Sequence, residues 1–323
     1  MPVRPIVIAH RGASGYRPEH TLASYELAIE MGADFVEPDL VSTRDGVLVA
    51  RHENEISGTT DVSDHPEFAD RRATKQIDGR DVTGWFTEDF TFAELRTLRA
   101  KERIPKVRPN NTVFDGRFPI PSFEEILELV AAKGAEVGRT VGVYPETKYP
   151  SYFHSLGLAL EPVLARTLTS HGLVGPDAPV YIQSFEVANL RELSRLTQVP
   201  LVLLVNDHGR PRDFTLSGDP RTYADLTTPE GLAEVATYAR GIGPHKDLLL
   251  PRDADGRLAQ PTSLVTDAHA AGLTVHPWTF RAEDTYLPSD LHAHPLAEMR
   301  AFLALGIDGF FTDNPDVGVA ARG

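Results

Sequence analysis

The chain has 323 residues, 41% hydrophobic and 24% charged, ordinary globular usage that excludes wholesale disorder. Lys and Arg total 32 against 46 Asp and Glu, a formal charge of −14, so nucleic acid and anionic membranes are poor partners, and an anionic substrate needs a local cation or a few basic side chains. There is no cysteine, which excludes thiolate nucleophiles, disulfides and Cys-ligated metals, and no stretch nears the ~18 apolar residues of a membrane span.

In chain order, short β-branched runs alternate with amphipathic stretches of helical length. The first strand, Ile6–Ala9, runs into His10-Arg11-Gly12. A helix follows over Leu22–Met31, capped by Thr21 and stopped at Gly32. The next strand, Phe35–Leu40, carries Glu37-Pro38-Asp39. Too few residues separate it from Val47–Arg51 for a parallel crossover, so Thr43–Gly46 reads as a hairpin with Asp45-Gly46 as a two-residue type I′ turn. That register places His52 directly across from Asp39.

Residues 53–118 break the alternation: they are rich in turn formers and charges, with Trp85, Phe86, Phe90 and Phe92 clustered, and read as a small inserted subdomain at the catalytic face. Without them roughly 250 residues remain, the length typical of an eight-fold barrel. Beyond the insertion, helices are expected over Phe123–Lys133 (Ser122 cap, Gly134 stop), Leu156–Ser170 (Gly172 stop), Ala188–Leu196, Pro229–Ala239, Ser263–Ala271 (Thr262 cap, Gly272 stop) and Pro295–Leu305 (Gly306 stop). Strands are expected over Val141–Tyr144, Val180–Gln183, Leu201–Val205, Gly241–Gly243, Leu273–Trp278 and Gly309–Thr312. Repeated strand–helix units predict an α/β fold whose eight parallel strands close into a barrel, plus one fold-back arm.

A His and an Arg at the carboxyl end of a barrel strand project into the usual catalytic mouth, where Arg11 offers a fork for phosphate and His10 a proton carrier. Gly12 would let the backbone approach a bound group. In isolation the dipeptide reads equally well as a capping His and a surface Arg. Glu37 and Asp39, two apart on a strand, share a face. Like charges so placed raise a pKa or demand a cation, and Glu146 adds a third carboxylate, giving an oxygen-only site for a hard divalent ion, Ca²⁺ or Mg²⁺. Pro38 counts against a regular strand there. His52, paired with His10 across a phosphate, would complete an acid–base set, and Lys148 shares the side of Glu146 and would neutralise a phosphate oxygen.

These residues resemble the glycerophosphodiester phosphodiesterase family. The resemblance rests on His10-Arg11-Gly12, Pro18-Glu19-His20-Thr21, Glu37-x-Asp39, Asp45-Gly46, His52, Pro121-Ser122-Phe123-Glu124-Glu125, Glu146-x-Lys148, Gln183-Ser184-Phe185, His276-Pro277-Trp278-Thr279 and Asp308 to Pro315, and so spans nearly the whole chain in order. It implies a TIM (β/α)8 barrel, one divalent cation and hydrolysis of glycerophosphodiesters to glycerol 3-phosphate and an alcohol. It also implies Glu37, Asp39 and Glu146 as metal ligands, His10 and His52 as the catalytic pair, Arg11 and Lys148 as phosphate contacts, and Glu19 as a supporting acid. Two departures, His20 for the usual Asn and Glu53 for the usual Asp, bear on local hydrogen bonding.

Phe185 and Trp278 suit an apolar wall for the glycerol carbons, with Gln183 a polar contact, although core packing explains Phe185 equally well. Asp313 reads either as a cap or as part of the site. His208, His245, His292 and His294 show no metal spacing and read as surface residues. Phosphodiesterases acting on lysophospholipids or glycerophosphate polymers, and a non-catalytic binding barrel, are the rival readings; the partner expected is a small phosphodiester, and oligomeric state is open. The N-terminus reads as lacking a leader, so the protein is either cytoplasmic or numbered from a processed start; likeness to the larger exported bacterial members leans towards export.

Overall fold

In this computed structural model, which describes residues 4–323, β-branched and apolar runs supply a closed ring of parallel strands. The ring begins with β1 (Ile6–His10), followed by α1 (Leu22–Glu30), and continues through β2 (Phe35–Glu37) and β3 (Asp39–Ser42), one strand line broken at Pro38. After a fold-back strand β4 (Leu48–Ala50) come a hairpin, β5 (Ala73–Ile77) and β6 (Arg80–Gly84), a single helical turn α2 (Phe92–Leu95), and α3 (Phe123–Val137).

The third line is β7 (Gly142–Val143) and β8 (Glu146–Thr147), again broken at a proline, Pro145, followed by α4 (Pro150–Ser155) and α5 (Leu160–Ser170). The remaining units are β9 (Ile182–Ser184), α6 (Val187–Leu196), β10 (Leu201–Val205), the short helices α7 (Arg212–Ser217), α8 (Tyr223–Leu226) and α9 (Pro229–Val235), and β11 (Gly241–Pro244). The chain ends with α10 (Leu264–Ala270), β12 (Thr274–Val275), α11 (Pro295–Leu303), β13 (Gly309–Thr312) and α12 (Pro315–Arg322).

β1 pairs in parallel with both β13 and β2, while β8, β9, β10, β11 and β12 follow in parallel order from β3. Backbone N–H groups of Asp308 and Phe311 donate to Val275 O and Pro277 O at 3.0 Å, closing the ring between its last two strands. The result is the expected α/β barrel. Side chains alternate along each strand: Ile8, Val202, Tyr144 and Phe311 form one buried cluster in the lumen, whereas Val7, Ala9, Leu201 and Leu203 pack outward with the helices. Tyr144, Tyr181 and Phe311 plug the lumen, with ring centroids 5.0 Å apart from Tyr144 to each of the others.

Several local expectations need correction. β3 and β4 pair Leu40 with Ala50 and Ser42 with Leu48, one residue out of the predicted register, so Arg51 and not His52 sits opposite Asp39. The Thr43 N–H donates to Val47 O at 3.0 Å and its hydroxyl accepts from the Val47 N–H at 2.9 Å, so the loop has three residues, Arg44-Asp45-Gly46, with Gly46 at φ +79. Phe35–Leu40 and Leu273–Trp278 are shorter or broken strands, because Pro38 and Pro277 have no N–H for a ladder. α3 runs past Gly134 to a left-handed cap at Gly138, φ +68. The predicted helix Leu156–Ser170 begins only at Leu160, after a turn at Gly157 (φ +72) that separates it from the unexpected α4, and the cap position of α10 is Ser263 in place of Thr262.

Segment 53–118 holds the β5–β6 hairpin, which its sequence did not reveal. Phe86 and Phe90 are fully buried, and Ile56, Val62, Phe68, Phe90 and Leu95 belong to the same apolar cluster as the barrel helices. Trp85 Nε1 donates to Phe68 O at 2.6 Å.

Candidate active site

The carboxyl ends of the strands surround a cavity of about 320 Å³ whose lining includes His10, Arg11, Glu37, His52, Glu146, Lys148, Gln183, Phe185 and Trp278. Glu37 and Asp39 arrive from β2 and β3 on either side of Pro38, and Glu146 follows Pro145; Asp39 and Glu146 are paired partners across β3 and β8. One oxygen from each of the three lies within 4.8 Å of the others, and all three side chains are buried.

Burial, with the charges of Asp39 and Glu146, pushes Glu37 well above the usual carboxylate range. Burial also lifts Glu146 to about 8, with Lys148 pulling against it and Asp39 adding to it. Asp39 falls well below its ordinary value despite burial, because Lys148, His52 and His20 favour its ionised form. Asp39 Oδ1 is buried with no hydrogen-bond partner among the described residues. An all-oxygen donor set with an unpartnered carboxylate oxygen fits a hard divalent cation, and Glu37, Asp39 and Glu146 are the residues that would hold it.

The cations of the site are fixed by those same acids and by Glu19. The Arg11 backbone N–H donates to Glu37 Oε2 at 2.8 Å, its Nη1 to Glu19 Oε2 at 3.0 Å, and its Nε lies 3.3 Å from Asp39 Oδ2. Lys148 Nζ donates to Glu146 Oε1 at 2.7 Å, and Gln183 Nε2 to Glu37 Oε1 at 3.2 Å. Gly12 serves a purpose other than the one expected. At φ +85, a Cβ there would lie 2.4 Å from Ser24 Oγ and 2.7 Å from the Ser24 carbonyl carbon, so the glycine lets β1 turn tightly against α1.

Each histidine is oriented by a carboxylate. His10 Nδ1 donates to Asp313 Oδ1 at 2.6 Å, and His52 Nδ1 donates to Glu53 Oε1. Since a carboxylate only accepts, the proton of each neutral ring sits on Nδ1, leaving Nε2 as the free acceptor. Burial, aided by the charge of Arg11, lowers His10 to about 4; burial, Arg11 and Lys148 lower His52 to about 3. Both rings are therefore neutral at pH 7. Although burial opposes it, Arg281, His10 and Arg108 hold Asp313 well below the usual range.

The structure brings His10, Arg11, Glu37, His52, Glu146, Lys148, Gln183, Phe185 and Trp278 to one cavity, with Asp39 paired to Glu146 beside it and Glu19 behind Arg11. Phe185 meets Trp278 edge to face at 5.7 Å between centroids, and Trp278 Nε1 is tied to Gly243 O at 2.7 Å. The two departures from the family pattern find partners: His20 Nε2 reaches Asp39 Oδ2 at 2.8 Å with Nδ1 at Tyr25 Oη, 2.7 Å, and Glu53 engages His52. His245, expected at the surface, lines the cavity with its ring 4.9 Å from Trp278. Arg103, Arg108 and Arg281 also reach the site, and the sequence does not single them out, because arginines in loops carry no local mark of what they will bind.

A family model for the glycerophosphoryl diester phosphodiesterase family matches residues 10–317. A glycerophosphodiester phosphodiesterase of Arabidopsis thaliana is 38% identical, covering 96% of this chain and 84% of the relative; one of Haemophilus influenzae is 32% identical, covering 97% and 88%. An Oleispira antarctica phosphodiesterase, solved in complex with the product sn-glycerol-3-phosphate, superposes with a TM-score of 0.64 at 22% identity over 98% of this chain and 96% of that one. A glycerophosphodiester phosphodiesterase structure from Agrobacterium tumefaciens gives 0.62 at 17% identity, covering 98% and 99%.

Proposed function

The chain belongs to the glycerophosphoryl diester phosphodiesterase family and is a glycerophosphodiester phosphodiesterase, and from that premise we propose that it works by a two-histidine, metal-assisted hydrolysis yielding glycerol 3-phosphate and an alcohol. The observation that carries the reading is that His10 and His52, each held through Nδ1, line the same cavity as Glu37, Glu146, Arg11 and Lys148. One free Nε2 takes a proton from the nucleophile; the other ring takes up a proton from solvent, which the negative charge of a bound phosphodiester favours, and gives it to the departing alcohol oxygen. Arg11 and Lys148 share the charge that grows on the phosphoryl oxygens. A bound Ca²⁺ or Mg²⁺, held by Glu37, Asp39 and Glu146, would supply Lewis-acid polarisation of the phosphodiester.

Phe185 and Trp278 form the apolar wall against the glycerol carbons, and Gln183 offers Oε1, which has no partner of its own. The test is release of glycerol 3-phosphate from glycerophosphocholine after chelation and again after Ca²⁺ or Mg²⁺ is restored. Activity is expected only in the second case; a rate indifferent to chelation overturns the metal part of the reading. Running lysophosphatidylcholine and a glycerophosphate polymer in parallel decides the alcohol side.

A further inference from the structure

Arg103 and Arg108 lie on one turn of segment 53–118, and each sits between two carboxylates. Arg103 donates from Nε and Nη2 to Glu19 (2.8 and 2.6 Å) and from Nη1 and Nη2 to Glu53 (3.0 and 2.6 Å). Arg108 donates from Nε to Glu283 at 2.5 Å, from Nη2 to Asp313 Oδ2 at 2.6 Å and from Nη1 to Ser14 O at 2.9 Å. In each set, one carboxylate is the group that holds a histidine: Glu53 for His52 and Asp313 for His10.

The turn between the two arginines is itself stiffened. Buried Glu102 accepts from the Ile104 N–H at 2.9 Å and from Asn111 Nδ2 at 2.9 Å, and the Arg108 N–H closes back on Ile104 O at 2.9 Å. The Arg103 fork binds both oxygens of Glu53 and removes its freedom to rotate, whereas Arg108 and Arg281 both bond Asp313 at Oδ2 and so hold its other oxygen, Oδ1, towards His10; each carboxylate in turn fixes the plane and tautomer of its imidazole.

We infer that Arg103 and Arg108 are positioning residues for the hydrolysis, through which a single turn of segment 53–118 aims both histidines at the substrate. The inference rests on the two-histidine reading above. It makes the segment part of the catalytic apparatus, acting through Glu53 and Asp313. The two arginines are not equivalent. Arg281 Nε also donates to Asp313 Oδ2, at 2.8 Å, so Asp313 keeps a cation when Arg108 is removed, whereas among the described residues no arginine but Arg103 bonds Glu53.

The test measures kcat and KM for glycerophosphocholine and the Kd of glycerol 3-phosphate in R103A, R108A, R103K and R108K, beside H10A and H52A. Loss of an orienting contact typically costs 10- to 100-fold, so kcat is expected to fall on the order of 100-fold in R103A and about 10-fold in R108A. KM and product affinity are expected to stay within about threefold, and millimolar guanidinium to restore part of the lost kcat. The lysine variants keep a cation but not the fork, and are expected to lose kcat while remaining folded, which keeps the test decisive if an alanine variant does not fold. Unchanged kcat with a lowered melting temperature overturns the inference, leaving a structural brace; a KM or product affinity that weakens in step with kcat also overturns it, by placing the arginine on the substrate. Active H10A or H52A would sink the two-histidine reading itself, whereas inactive histidine variants beside fully active arginine variants would sink the positioning role alone.

Discussion

His10 and Asp313 are 303 residues apart in the chain, yet Nδ1 of one lies 2.6 Å from a carboxylate oxygen of the other. The contact joins the first strand of the barrel to the loop after the last, and it exists only when the ring is closed. His10→Ala and His52→Ala are each expected to lose on the order of 10²- to 10⁴-fold in kcat, the usual worth of a general acid or base. Asp313→Asn leaves His10 without its anionic partner and is expected to lose activity with little change in KM. Steady-state kinetics on all three, with circular dichroism to confirm folding, check this.

A cation held by the acidic triad would link metal binding to folding. A cation that binds the folded chain and not the unfolded one raises stability by mass action. The melting temperature is therefore expected to rise with Ca²⁺ or Mg²⁺ concentration, and Glu146→Gln or Asp39→Asn to abolish most of the rise. Differential scanning calorimetry at several metal concentrations is the measurement; a melting temperature independent of metal in the parent protein would contradict the site.

Gly12→Ala tests the tight turn at the end of β1. A methyl group would collide with Ser24 backbone at a φ of +85, and Arg11 next to it already adopts a left-handed φ of 60. A loss of about 2–3 kcal/mol in urea unfolding is expected, with a fall in activity as Arg11 is displaced.

Acid stability follows from His276, a lumen residue whose Nδ1 meets Tyr144 Oη at 2.8 Å. Burial lowers its pKa from 6.5 to about 4. Below pH 6.5 the unfolded chain takes up a proton that the folded one refuses, so stability contributed above that pH is lost as pH falls towards 4. One pKa unit is about 1.4 kcal/mol, so roughly 3 kcal/mol is at stake. His276→Gln, which does not titrate, is expected to flatten the stability profile between pH 7 and 4 by about that amount in denaturant titrations.

The strands and the acidic triad were legible because their signals are local: apolar runs, and carboxylates two apart or beside a proline. The predicted hairpin register is one residue off because Asp45-Gly46 is not the whole turn: the Thr43 hydroxyl caps a three-residue loop from outside it. The arginines were illegible for the opposite reason. Arg103 meets Glu19 across 84 positions and Arg108 meets Asp313 across 205, and no periodicity links such pairs. His245 looked superficial because nothing in its neighbourhood announces that Trp278 will fold over beside it.

The chain holds only two tryptophans, and they report on different places: Trp85 in segment 53–118, bonded to Phe68 O, and Trp278 on the cavity wall beside Phe185. Intrinsic fluorescence can therefore serve as a two-channel optical probe without any added label. With Trp85 replaced by Phe, emission follows occupancy of the cavity; with Trp278 replaced instead, the remaining signal follows the segment that carries Arg103 and Arg108.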